Sequence, residues 1–292
     1  MQELIINNKL ISKIQWEKSI KIIKKDNDIL IKEESKALKL LEDELFNSIK
    51  KRTNKEFRIL FSGGIDSVII ALVCKKLKYK FKCYSIGFKD SSDLVYAKKI
   101  AKQLNLKLEI KSFTLKEFEI LLKKVVKLFR SSDPVKIGIA SVNYAAIEFA
   151  KKDKNLFSGL GAEEIFAGYH RHRLAKDLEK ESWKGLRNMY EVDIKRDLLI
   201  SRYFKINLLT PFLDDKLIKI AMKIHPNLKI KDNTNKYILR RLALKLGLKK
   251  EFAFRPKKAA QYGTNFDKAI LKLTKLNGFK YKRDYLASLI RS

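Results

Sequence analysis

Apolar and polar residues recur with two different periods along this chain, and each change of period marks an element. From about Ser35 to Lys51, Leu38, Leu41, Leu45 and Ile49 return every three or four positions, the spacing of one helix face. The next apolar run, "FRILF" from Phe57, is short and continuous, which fits a buried strand, and Asp66 to Lys76 reads as a helix again. "FKCYSIG" gives a second strand, followed by a helix from Leu94 to Leu104, and "LKLEIKS" alternates as a third strand. Leu115 to Phe129 and Ile139 to Lys151 read as helices. "NLFSG" is a short fourth strand, and Glu163 to Leu174 starts another helix. Beyond Leu174 the pattern is mainly helical, with "LLTPFLDD" and "FAFRPKKAAQYG" as loops. Met1 to about Lys32 reads either as a hairpin or as a strand and a helix.

Strands that alternate with helices predict an α/β fold: a parallel sheet of about five strands, helices on both faces, and a helical C-terminal part. No repeat and no Gly/Ser- or Pro-rich linker interrupts the chain. The expected organisation is an N-terminal segment, 1–34, and one domain, 35–292.

Composition narrows the class. Hydrophobic residues make up 46% of the 292, enough for a packed core. No apolar run approaches the roughly 18 residues that a bilayer span needs, so no membrane partner is expected. "MQELIINNKLISK" lacks an apolar h-region and a small-residue cleavage site, which makes the cytoplasm the expected compartment. Cys74 and Cys83 form neither a disulfide framework nor a CxxC pair and suit a core. The net charge of +32 admits two readings. One is a nucleic-acid partner. The other is lysine on solvated faces, which the spread of lysines over every segment describes better. Either way, non-specific tRNA contact at low salt is expected.

The chemistry is concentrated in two strand-to-helix loops. Ser62, Gly63, Gly64, Ile65, Asp66 and Ser67 ("SGGIDS") follow the first strand and open a helix. Such a turn points N–H groups and a helix N-terminus at an anion. A Walker A loop would need a lysine after its glycines, and there is none. Asp66 is out of place beside a phosphate unless it holds Mg²⁺, which favours carboxylate plus phosphate oxygens. The second loop, "FSGLGAEEIFAGYHRHR", ends a strand in Ser158-Gly159 and opens a helix with Glu163 and Glu164. If the two strands are neighbours, both loops face one ligand beyond the strand ends. The two glutamates also suit a purely structural role, complementing a helix dipole. His170 and His172 are two apart and point to different sides of a helix, which argues against a shared metal.

"SGGIDS" resembles the PP-loop of ATP pyrophosphatases. The chain from about Ser35 to Thr264 resembles the synthetase domain of class B asparagine synthetase and its relative β-lactam synthetase. The resemblance is carried by "SGGIDS", "YSIGFKDSSDLVYAKKIAKQLN", "SSDPVKIGIASVNYAAIEFAKK", "SGLGAEEIFAGY", "TPFLDDKLIKIAMKIHPNLKI" and "FRPKKAAQYG", in that order. It implies an adenine nucleotide alpha hydrolase-like fold and use of ATP with Mg²⁺. It implies that Phe61, Ser62, Gly63, Gly64, Asp66 and Ser67 hold the phosphates, and that Asp66 and Glu163 ligate the metal. Ile86 and Gly87, with Ser158 and Gly159, would line the adenosine pocket. Lys257 would neutralise charge developing on the α-phosphate and the carboxylate, Arg255 would support it or hold pyrophosphate, and Glu164, which matches the family directly, is the third candidate catalytic residue.

Three departures qualify the resemblance. The family's glutaminase domain needs Cys directly after Met, and Gln2 stands there, so free ammonia, another amine or a separate glutaminase subunit would supply nitrogen. Leu160 replaces the Glu of S-G-E-G, and leucine is no general base. Asn207 and Leu209 replace the Glu and Arg ahead of V-P-F-L-D. "SGLGAEE", "AGYHRH" and "PKKAAQYG" are most similar to the asparagine synthetase domain-containing protein subgroup. The implied reaction is activation of a small-molecule carboxylate such as aspartate as an adenylate, then attack by ammonia or another amine. Two other readings stay open: a tRNA-modifying PP-loop enzyme, and a non-catalytic nucleotide-binding homologue.

Overall fold

The computed structural model describes residues 5–6, 9–25, 30–53, 56–256 and 258–291. Nine strands occur among them: β1 (Ile5–Ile6), β2 (Lys9–Leu10), β3 (Arg58–Leu60), β4 (Lys82–Gly87), β5 (Leu108–Ser112), β6 (Asn155–Phe157), β7 (Asn207–Leu209), β8 (Ile230–Lys231) and β9 (Thr234–Asn235). The central sheet is parallel, in the order β5-β4-β3-β6-β7, with helices around it. This is the expected fold class. The four strands read from the pattern are all present, and the fifth, β7, lies at the start of the segment read as a loop, paired Phe157 to Leu209. β1–β2 and β8–β9 are two-stranded antiparallel hairpins. Neither reading of the N-terminus is complete: a hairpin forms, and a helix, Lys13–Lys25, follows it.

Local chemistry sets the helix ends. Thr114 and Glu117 form a reciprocal capping box at the start of Leu115–Phe129, with N–H···O distances of 3.2 and 2.8 Å. The helix expected from Ile139 begins earlier, at Pro134. Asp133 accepts from the Val135 and Lys136 N–H groups at 2.8 and 2.9 Å, and proline suits the first helical position. On the helix Glu34–Lys50, Leu41, Leu45 and Ile49 are buried, but Leu38 is only half-buried and Ala37 takes the core position instead. The single helix expected from Glu163 to Leu174 is two, Ala162–Ile165 and His170–Leu174. Ala167 turns left-handed between them (φ 56°), and the Gly168 N–H donates to the Glu163 carbonyl at 2.7 Å. No helix among the described residues is long and apolar enough to cross a membrane.

The chain divides into two compact units. One comprises Met1–Ile59, Ile65–Phe81 and Asp153–Arg255. Its core includes Trp16, fully buried, whose Nε1 donates to the Leu186 carbonyl at 3.2 Å, and Phe57, edge-on to Phe157 at 5.0 Å. The other comprises Leu60–Gly64, Lys82–Lys152 and Pro256–Ser292. Phe88, Phe113 and Phe118 gather there around Phe266, with centroids 4.5 to 5.9 Å away. Each buried ring of this kind contributes roughly 1.5–3 kcal/mol of transfer free energy.

Candidate active site

The turn after β3 is built for close approach. Gly63 has φ 64°, and a Cβ there would lie 2.9 Å from the Ala97 nitrogen, so both the backbone angle and the space demand glycine. The Ser62 hydroxyl accepts from the Gly64 N–H at 3.2 Å, which tightens the turn. The helix Ile65–Lys76 then starts with Asp66 and Ser67 in its first turn, both buried. The Phe61 and Ile86 side chains are buried in the core, so only their main chain can face a ligand. Phe61 donates its N–H to the Tyr84 carbonyl at 2.7 Å, and Ile86 and Gly87 end β4.

The loop after β6 backs onto the same aspartate. A Cβ on Gly159 would lie 2.8 Å from the Asp66 Cβ, and one on Gly168 would overlap the Glu163 carboxylate. Asp66 and Glu163 meet on one cation. Lys236 Nζ lies 2.7 Å from each Asp66 oxygen and 2.8 Å from Glu163 Oε1. Burial pulls the Lys236 ammonium down, but Asp66 and Glu163 outweigh it and hold its pKa above the ordinary value. Two carboxylates and one ammonium leave a net charge of −1. The sequence pattern names the two carboxylates, but not the lysine between them. Lys236 is left-handed (φ 57°) just ahead of the helix Tyr237–Lys245. In the sequence it is one of 65 basic residues, and only its place after "DNT-N" at a turn marks it.

Glu164 turns elsewhere. It is buried beside Asp193 and Glu163, and Tyr169 hydrogen-bonds to it. Burial first, then the two neighbouring carboxylates, raise its pKa to about 8. Its proton is therefore held at neutral pH, and Gly185 leaves room for its Cγ. His172 accepts the Tyr169 N–H on Nδ1 at 3.2 Å, and burial with nearby Arg171, Lys229 and Lys236 lowers its pKa to about 4. His170 is exposed while His172 is buried, and no group of three metal-ligating side chains occurs among the described residues. Arg255 is buried, and Lys257 lies outside the described residues. At the edge of the loop, Leu160 and Leu209 are half-buried, and the Ser158 N–H donates to the Leu209 carbonyl at 2.9 Å.

The donor set fits a magnesium ion. Two carboxylates already converge on one positive charge, and Mg²⁺ commonly takes one or two carboxylates and completes its shell with substrate phosphates.

The chain matches the family model described as asparagine synthase over residues 40–183 and 174–276. It is 36% identical over 289 residues to "Putative asparagine synthetase (glutamine-hydrolyzing) 1" of Methanocaldococcus jannaschii, covering 85% of this chain and 53% of the relative. It is 28% identical over 256 residues to the glutamine-hydrolyzing asparagine synthetase of Bos taurus, covering 82% and 44%. The chain thus spans about half the length of the relatives it matches. Among solved structures it is similar to an NMN synthetase from Francisella tularensis at 14% identity and a TM-score of 0.44, over 88% of this chain and 93% of that one. That likeness is too loose to bear on activity.

Proposed function

The chain belongs to the asparagine synthase family, and on that premise we propose that it is an ATP-dependent ligase forming AMP and pyrophosphate. It would activate a carboxylate, with aspartate as the first candidate, for attack by ammonia or another amine. The observation that carries this reading is the convergence of Asp66 and Glu163, from two strand-end loops, on one cation beside a glycine turn.

Asp66 and Glu163 would hold Mg²⁺, which when bound would neutralise charge on the departing pyrophosphate. A divalent cation on Asp66 and Glu163 would screen their charge from the triphosphate, so nucleotide should bind more tightly with Mg²⁺ than without it. Ser62, Gly63, Gly64 and Ser67 would cradle the phosphates at the helix N-terminus. The adenosine-lining roles of Ile86, Gly87, Ser158 and Gly159 rest on the family resemblance, as does that of Lys257. Arg255 and Lys257 would place fixed positive charge where the adenylation transition state becomes negative. Glu164, protonated at neutral pH, would support the loop rather than accept a proton. Leu160 offers no base, so the amine must arrive already neutral. That condition favours ammonia at alkaline pH.

The test is release of AMP and pyrophosphate from ATP and Mg²⁺ with aspartate, other acidic metabolites or bulk tRNA, each with and without ammonium. AMP that depends on one acid identifies the substrate, and dependence on ammonium makes the product an amide. AMP that depends on tRNA would replace this reading with tRNA modification. Nucleotide binding with no AMP from any mixture would replace it with a non-catalytic role.

A further inference from the structure

One guanidinium joins two parts of the chain that the proposed reaction needs together. Arg240 lies one helical turn after Lys236, and its own N–H donates to the Lys236 carbonyl at 3.0 Å. Its side chain reaches both ways. Nε donates to the carbonyl of Asn235, next to Lys236, at 2.8 Å. Nη1 donates to the carbonyls of Ala253 and Arg255 at 2.6 and 3.3 Å. Ala253 closes the short helix Lys250–Ala253, where carbonyls lack intrahelical partners and an arginine can cap them. Asn235 is itself anchored, its Nδ2 donating to the Tyr169 carbonyl at 3.0 Å. Only a rigid, multi-donor fork makes such a set, and lysine has no equivalent geometry.

Resting on the ligase reading above, we propose that Arg240 is a positioning residue: it clamps the main chain at Arg255 to the main chain at Lys236. The arm formed by residues 250–255 thereby keeps a fixed distance from the Asp66–Lys236–Glu163 group. Arg240 touches no reacting atom in this scheme. Its contribution is to turnover, through the direction in which Arg255 is held, and not to nucleotide affinity. A misplacement of about 1 Å at such an arm is enough to cost on the order of 100-fold in rate.

The experiment compares the full chain with its R240M, R240Q and R240K variants in three measurements. The first is the rate of cleavage by a lysine-specific protease at Lys249 and Lys250, read by mass spectrometry against cleavage elsewhere. The second is the affinity for a non-hydrolysable ATP analogue with Mg²⁺. The third is AMP formation with the acid that supports turnover. For R240M, arm cleavage should rise about 10-fold or more relative to other sites, because opening there becomes easier. Nucleotide affinity should stay within about 2-fold while turnover falls about 10-fold or more. R240Q and R240K, which retain some donors, should recover part of both effects. Arm cleavage and turnover within about 2-fold of the parent would overturn the proposal. So would a uniform rise in cleavage at every site with a parallel loss of nucleotide affinity, the signature of general destabilisation. Should the parent form no AMP with any acid, the ligase reading fails, and the cleavage ratio alone still decides whether Arg240 holds the arm.

Discussion

Replacing Lys236 with methionine keeps the length of the side chain and removes the charge that Asp66 and Glu163 share. Both carboxylates contact Nζ, at 2.7 and 2.8 Å, and Asp66 is buried while the Glu163 side chain is 30% exposed. Across the nitrogen their oxygens are at most about 5.5 Å apart, and two such charges repel by about 3 kcal/mol at an effective dielectric constant of 20. Loss of one partner from a buried ion pair commonly costs about 3–5 kcal/mol. Glu163 can turn partly to water, so the lower end applies. At about 2–4 °C per kcal/mol, the melting temperature should fall by about 6–12 °C. Magnesium should reverse this. In the variant no ammonium competes with a divalent ion for the two carboxylates, and saturation to 100 times Kd would return about 2.7 kcal/mol. In the parent the ion must first displace an ammonium, so its melting temperature should respond less to MgCl₂. Thermal unfolding of both proteins, with and without MgCl₂, measures each part. A variant that melts with the parent and ignores magnesium would refute the idea that these two carboxylates form one cation site.

Other consequences follow from the same geometry. Alanine at Gly63 must adopt φ 64° and place its Cβ against the Ala97 backbone. A loss of about 2–4 kcal/mol is expected, with weakened nucleotide binding, read from urea midpoints and an ATP-analogue titration. Glu164 has a folded pKa near 8 against an ordinary 4.5, so between those values the folded chain keeps a proton that the unfolded chain has lost. Stability should therefore fall as pH rises through that window, and E164Q should abolish most of the fall. A parent that grows more stable from about pH 5 to 8 through this residue would contradict the burial argument. L160E should create or raise asparagine formation from aspartate and ammonia; loss of nucleotide binding in that variant would instead show that Leu160 shapes the loop.

What the sequence disclosed and what it hid divide along a physical line. Main-chain requirements leave local marks. Glycines at Gly63 and Gly159 and continuous apolar strands each constrain a few consecutive residues, so the strand-loop-helix units were legible, whereas reading the next helix from Ile139 misses the Asp133-Pro134 cap that starts it. The fifth strand was not, because Asn207–Leu209 is three residues long and runs straight into a loop. The broken helix after Glu163 was not, because its break falls at Ala167, a residue that elsewhere favours helix.

Lysine is the harder case. A chain with a charge of +32 presents most of its lysines to water, and nothing local distinguishes the few that are buried. Lys236 is 4% exposed and held cationic by two carboxylates. Lys229 is 3% exposed and lies 3.9 Å from the Met222 sulfur; burial, opposed by Glu179, lowers its pKa to about 7. The same side chain is thus shifted in opposite directions within one compact unit, and for Lys236 the direction is set by residues far away in sequence. Asp66 is 170 positions from Lys236. The candidate site was therefore readable as loops and carboxylates, whereas its cation, and the Arg240 clamp one turn beyond it, depend on contacts that no sequence period encodes.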